Sequence, residues 1–156
     1  MRNGISRSCL IPVLLVCLSI LLACSGGGNS SDPRQVVISF FGAMEKNDQA
    51  TLAHLLDLAS LMQNSREDYA VQTDSPRVFS NPQDILNDLT DNGLTKTRWF
   101  SMQRVVANSQ VFGESAIVEV TFVDKAASHG YRTHFGLHKV NGEWKIYSFK
   151  TFDAPK

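Results

Sequence analysis

The dipeptide Asn141-Gly142 constrains this chain more than any other pair of residues in it. Both central positions of a type I′ hairpin turn need positive φ, and Asn-Gly is the pair that adopts it most readily. The segments on either side alternate apolar and polar residues, so a β-hairpin is expected with its register set by the turn. That register places Val140 opposite Glu143, Leu137 opposite Ile146, Phe135 opposite Ser148 and Tyr131 opposite Phe152. On the reverse face His138 meets Lys145, Gly136 meets Tyr147 and His134 meets Phe149. The small Gly136 leaves room for the Tyr147 ring to lie across the strand.

The period of two begins near Phe100. Ala116, Val118, Val120 and Phe122 share one face of a strand and Glu119 and Thr121 the other, which describes a half-buried strand. Gly113-Glu114 turns it back on a preceding strand that ends near Phe112. Upstream the period is helical. Asp32-Pro33-Arg34-Gln35 combines a capping residue, a proline suited to the first turn and a capping-box spacing. Val36, Val37, Phe40, Phe41 and Met44 then fall on one side. A second start at Asp48 leads a stripe of Leu52, Leu55, Leu56, Ala59 and Met62, and the short Lys46-Asn47-Asp48 link makes the two helices neighbours. Asn64 to Ser80 is polar and irregular, a loop with room for a short strand. Asn81-Pro82-Gln83-Asp84 starts a third helix with Ile85, Leu86 and Leu89 inward, and Gly93 suits a left-handed cap at its end. The fold class is therefore α+β, N-terminal helices on an antiparallel sheet.

The first 23 residues have the layout of a secretory signal. Arg2 and Arg7 precede an apolar run from Leu10 to Leu22, and the small Ala23 sits before Cys24. The run is too short to cross a bilayer, which takes about 20 such residues, and it contains Pro12. Leu21-Leu22-Ala23-Cys24 resembles the lipobox of bacterial lipoproteins. The resemblance implies lipidation of the Cys24 thiol, cleavage before it, and anchoring to a lipid membrane. Several acyl chains on one residue satisfy the requirement for more than one membrane signal. Ser25 follows where an aspartate often retains such proteins at the inner membrane, which implies the periplasmic side of the outer membrane in a two-membrane envelope.

Residues 24–31 then form a lipidated cysteine and a Ser-Gly linker, and residues 32–156 one domain, long enough for one core. Cys9 and Cys17 leave with the signal and Cys24 is consumed by lipid. No thiol remains for a disulfide, a metal or a nucleophile. Loss of Arg2 and Arg7 takes the 15 basic residues to 13 against 15 acidic ones, which gives no electrostatic reason to bind nucleic acid.

Val36-Val37-x-x-Phe40-Phe41 followed by Asn47-Asp48, then Ala116-x-Val118-x-Val120, then Asn141-Gly142-Glu143-Trp144-Lys145-Ile146 resemble the nuclear transport factor 2-like superfamily. Within it the chain resembles small bacterial lipoproteins carrying a domain of unknown function. The likeness spans nearly all of residues 32–156 through structural motifs. It implies a strongly curved sheet wrapped around the helices as a cone, with a cavity between them. Such cavities hold active sites in some members, bind ligands in others and are simply filled in many. Phe41, Met44, His54, Tyr131, Phe135 and Trp144 are the cavity candidates, and a small apolar ligand is one occupant to test. The likeness also implies a homodimer through the outer sheet face. Arg132, His134, His138, Tyr147 and Phe149 are the interface candidates there, with Ile117 nearby, because aromatic residues are enriched at interfaces.

Chemistry-bearing patterns are few. His134 and His138, four apart on a strand, lie about 13 Å apart and cannot share a metal. No ligand spacing singles out a metal or cofactor. A base in the cavity of such a fold would come from His54, Tyr69, Asp88 or Tyr131. Asp88, beside Asn87, belongs on a solvated helix face. The sequence contains no G-x-S-x-G and no phosphate-binding glycine loop. Lys96, Arg98 and Arg104 with Trp99 and Phe100 fit a half-exposed strand rather than a nucleic-acid surface. The reading favoured is a non-catalytic ligand-binding or protein-interaction module in the cell envelope. The alternative is a small isomerase or dehydratase built around the cavity.

Overall fold

Helix α1, Pro33–Lys46, starts where the sequence places it, with Asp32 accepting a 2.9 Å bond from the Arg34 amide and Pro33 in the first turn. The computed structural model describes residues 32–68, 79–124 and 129–153. The signal, Cys24, the linker and Tyr69 lie outside them. Val36, Val37, Phe40, Phe41 and Met44 are all buried, as their spacing requires. The helix stops at Asn47 in the left-handed region, φ 56°. Asn47 Oδ1 then accepts from the Asp91 amide at 2.7 Å and from the Lys96 ammonium, tying the end of α1 to a later segment.

The expected second helix is two. Helix α2 runs Gln49–Leu55 from an Asp48 cap that accepts from the Thr51 amide at 3.0 Å, and α3 runs Leu58–Asp68. Leu56 between them is extended and makes a parallel bridge to Ile146, while the Asp57 amide donates to Ile146 O at 2.8 Å. Asp57 restarts the helix, accepting from the Ser60 amide at 3.1 Å and the Ser60 hydroxyl at 2.7 Å. Ala59, expected inward, is exposed, and Leu61 is buried instead. Each interruption leaves a new helix start whose amides need a cap, and Asp57 supplies it.

Helix α4, Pro82–Leu89, begins with a full capping box between Asn81 and Asp84 and buries Ile85, Leu86 and Leu89. Its end departs from expectation. Asp91 takes the left-handed conformation, φ 49°, while Gly93, φ −56°, opens a further helix α5, Leu94–Phe100. Gly93 is there for space: a Cβ on it would stand 2.2 Å from Asp88 O. The stretch expected to be strand is thus helical and buries Trp99. Asp88 is not solvated but 7% exposed, and it accepts bonds from the Thr95 amide and hydroxyl.

Four antiparallel strands follow in the order β1-β2-β3-β4: β1 Gln103–Phe112, β2 Ser115–Asp124, β3 His129–Val140 and β4 Glu143–Asp153. Asn141, φ 54°, and Gly142, φ 83°, form the expected turn. From it the register holds through Leu137 opposite Ile146 and then slips by one. Tyr147 is the extra residue. Beyond it Gly136 faces Ser148, Phe135 faces Phe149, His134 faces Lys150 and Tyr131 faces Asp153. A bulge reverses the parity of everything past it. Phe149 therefore points inward, 0% exposed, and leaves the outer face to which the unbroken register assigned it.

The cause is packing. Phe149 sits 5.0 Å from Phe135, 5.6 Å from Phe40 and 5.6 Å from Trp99 between ring centroids. Phe41 and Phe122 complete the cluster, which lies between the helices and the inner face of the sheet. Among the described residues no helix is long and apolar enough to cross a membrane. We expect Gly142→Val to lower stability by about 1 kcal/mol or more, since a β-branched residue resists φ of +83°. A urea midpoint shifted downward with an unchanged slope would register it.

Candidate functional site

The cavity candidates divide between the core and the surface. Phe41, Met44, Phe135, Tyr131 and Trp144 are all buried members of the core. Phe41 lies 5.6 Å from Phe135 and 5.9 Å from Trp99, so these side chains pack against one another between helices and sheet. Tyr131 stacks on Phe122 at 5.3 Å, and Arg98 lies 5.7 Å from its ring. Burial pushes its hydroxyl up from the ordinary phenol value, with Arg98 opposing. Trp144 lies beneath the Lys139 ammonium at 5.2 Å.

His54 is exposed on α2. It lines an open surface pocket of about 300 Å³ with Ala53, Leu56, Asp57, Leu58, Val140 and Lys145. The residues considered as bases are not brought together. His54 is at this pocket, Asp88 is buried between α4 and α5, and Tyr131 is in the core. The cations around Trp99 act within the fold: Arg104 donates to Trp99 O at 2.7 Å and lies 4.0 Å over Phe100.

Polar chemistry gathers on the outer sheet face. Glu119 on β2 faces His134 on β3, and its Oε2 lies 3.1 Å from His134 Nε2 and 3.4 Å from Arg132 Nη1. One carboxylate thus holds two side chains of the neighbouring strand, Arg132 and His134. A second group forms at the β4 edge, where the break between α2 and α3 aims Asp57 at β3. Asp57 Oδ2 is 3.0 Å from His138 Nε2, and the His138 ring stacks on Tyr147 at 4.8 Å. Tyr147 can do so because its ring lies over Gly136, where a Cβ would meet it at 3.0 Å. The ring position expected from the small residue is present, although the residue directly opposite Gly136 is Ser148. Lys145 bonds Glu143 at 3.0 Å and the His54 carbonyl, joining the pocket rim to this face.

Four of the five interface candidates, Arg132, His134, His138 and Tyr147, are half-buried on that face, and Phe149 is in the core. Ile117 joins them on β2, and Val105 and Val123 stand exposed on the same side at the other end of the sheet. His134 and His138 bond different carboxylates. Among the described residues no group of three or more His, Cys, Asp or Glu could hold a metal ion. Asp57 is the residue that sequence reasoning passed over. Its signal is the spacing to Ser60, a helix start hidden inside an apolar stripe that already looked continuous.

The chain matches no protein-family model, and comparison with curated proteins finds no match.

Burial pushes the Asp57 carboxyl up, but bonds from the Ser60 hydroxyl and amide and from His138 outweigh it and hold it below the usual carboxylate range. A depressed folded value means that the pairing adds stability above the ordinary carboxylate pKa of about 4 and loses it as pH falls further. We expect Asp57→Ala to cost about 1–2 kcal/mol at neutral pH, mostly through the lost cap. Urea midpoints of both proteins from pH 7 to pH 3 should converge as the pH drops below about 4.

Proposed function

We propose that this chain is an exported bacterial lipoprotein, tethered through acylated Cys24, whose nuclear transport factor 2-like domain is a non-catalytic interaction module of the cell envelope. In a two-membrane cell its place is the periplasmic side of the outer membrane. The cone expected for that superfamily draws support from two bulges, one between Val106 and Ser109 and one at Tyr147, because bulges bend and twist the strands that carry them. We place binding on the outer face because, among the described residues, the aromatic side chains inside pack against one another.

The observation that carries this reading is the pairing on that face. Glu119 holds Arg132 and His134, and Asp57 holds His138 against Tyr147. Side chains fixed before contact lose less conformational freedom when a partner covers them. Glu119 and Arg132 set opposite charges a few ångströms apart, so the surface can complement a second copy of itself about a two-fold axis. The module is then a homodimer through β2 and β3. The reading rests on the face with Phe149 removed from it.

Two measurements test the proposal separately. Cys24→Ser should abolish incorporation of radiolabelled palmitate, and label retained by the variant would remove the anchor. Sedimentation velocity of residues 32–156 at micromolar concentration should show a dimer that Glu119→Arg converts to monomer, because the substitution sets a like charge beside Arg132 and removes the carboxylate that holds His134. A wild-type domain that stays monomeric across that range would overturn the dimer.

A further inference from the structure

The β1–β2 hairpin ends in an apolar tip that the core does not use. Val111 is 53% exposed and Phe112 62% exposed, and as strand neighbours they point to opposite faces of the sheet. The turn between Phe112 and Ser115 is only Gly113-Glu114, with Gly113 at φ 64°. Antiparallel order brings the β3–β4 turn to the same end, and the Lys139 amide donates to Glu114 O at 2.9 Å. Val140 there is also exposed, and the Lys139 ammonium lies over Trp144. This end of the sheet thus combines apolar side chains on both faces with a lysine whose ammonium lies over an aromatic ring, an arrangement suited to an apolar–aqueous boundary.

The chain enters the domain beside that tip. Asp32 Oδ1 accepts from the Ser109 hydroxyl at 3.3 Å, and the Arg34 guanidinium donates to Val106 O. Ser109 is three residues from Phe112, about 10 Å along the strand. Cys24 is eight residues before Asp32, which limits the distance between them to about 28 Å. We infer that the tip formed by Val111, Phe112 and Val140 rests on the lipid surface to which Cys24 is anchored. This inference rests on the anchoring reading above.

A lipid surface is the occupant the geometry favours, for two reasons. Exposed apolar groups on both sides of one thin hairpin suit a medium that surrounds it, whereas a folded partner covers one face. The tether holds the tip at high effective concentration against the bilayer, so a contact too weak to recruit a free domain is sufficient. With 13 basic and 15 acidic residues after removal of the signal, the contact is apolar, not electrostatic, and Glu114 at the turn limits it to the headgroup boundary.

The test uses the mature lipidated chain in vesicles of neutral phosphatidylcholine, part of it carrying a nitroxide on the acyl chain. An environment-sensitive fluorophore is attached to Ser115→Cys beside the tip or to Gln103→Cys at the opposite end of β1. We expect quenching severalfold stronger at residue 115 than at residue 103. With Val111→Ser and Phe112→Ser it should fall to the residue 103 level while the protein still floats with the vesicles. A floating chain with both sites quenched alike overturns the lipid contact alone. A chain that stays out of the vesicle fraction, with Cys24 itself taking the label, overturns the anchor and the contact together. Emission at residue 115 that is unquenched, yet shifts blue as the protein-to-lipid ratio rises, assigns the tip to a second copy and overturns the contact.

Discussion

Burial of Phe149 against Phe40, Phe135 and Trp99 imposes the geometry on which the rest of this structure depends. Strict alternation from the Asn141-Gly142 turn would put Phe149 in water and a small serine, Ser148, in the core. Burying a phenylalanine side chain is favourable by about 2–3 kcal/mol, which exceeds the loss of one regular pair in an edge strand. The chain therefore inserts Tyr147 as a bulge. The bulge turns Phe149 inward while Tyr147 remains outside to stack on His138, and it lies just past Ile146, the residue to which Leu56 and Asp57 attach.

That attachment explains why the helical layer is broken where it is. Leu56 adds a short parallel bridge to the β4 edge and its side chain is buried, so the backbone must leave the helical conformation for two residues. Asp57 then has three tasks in one place. Its amide completes the bridge, its carboxylate caps α3, and the same carboxylate holds His138. The β4 edge, which would otherwise offer unpaired amides and carbonyls, is covered by this junction and by Asn64, which donates to Tyr147 O at 3.1 Å.

Local signals were legible in the sequence, and signals set by distant contacts were not. The Asn141-Gly142 turn, the inward side of β2 and the buried stripe of α1 follow from residue type and period within a few positions. The slip at Tyr147 depends on Phe40 and Trp99, more than 40 residues away, and nothing near it in sequence marks it. Helix α5 was hidden because Thr95, Thr97, Trp99 and Phe100 all favour strands in isolation. What overrides them is Asp88, which caps the first turn from the preceding helix, and the burial of Trp99. Asp88 itself looked solvated because its partner Thr95 lies beyond the helix that carries it. Of the site residues, Arg132, His134, His138 and Tyr147 precede the bulge or sit on it and kept their face. Phe149 follows it and changed sides.

The direction of the two surfaces relative to the sheet bears on how the proposed tether and the proposed interface act together. The apolar tip is at an end of the strands, whereas Glu119, His134 and His138 project from a face, and side chains stand roughly perpendicular to a sheet. With the tip on lipid, the strands rise from the membrane and the outer face looks sideways, parallel to the bilayer plane. Neighbouring copies confined to the same membrane then meet face to face without leaving it. Confinement removes most of the translational and orientational freedom that association in solution must overcome. Confinement therefore tightens a contact that, on the proposed reading, already pairs free domains at micromolar concentration.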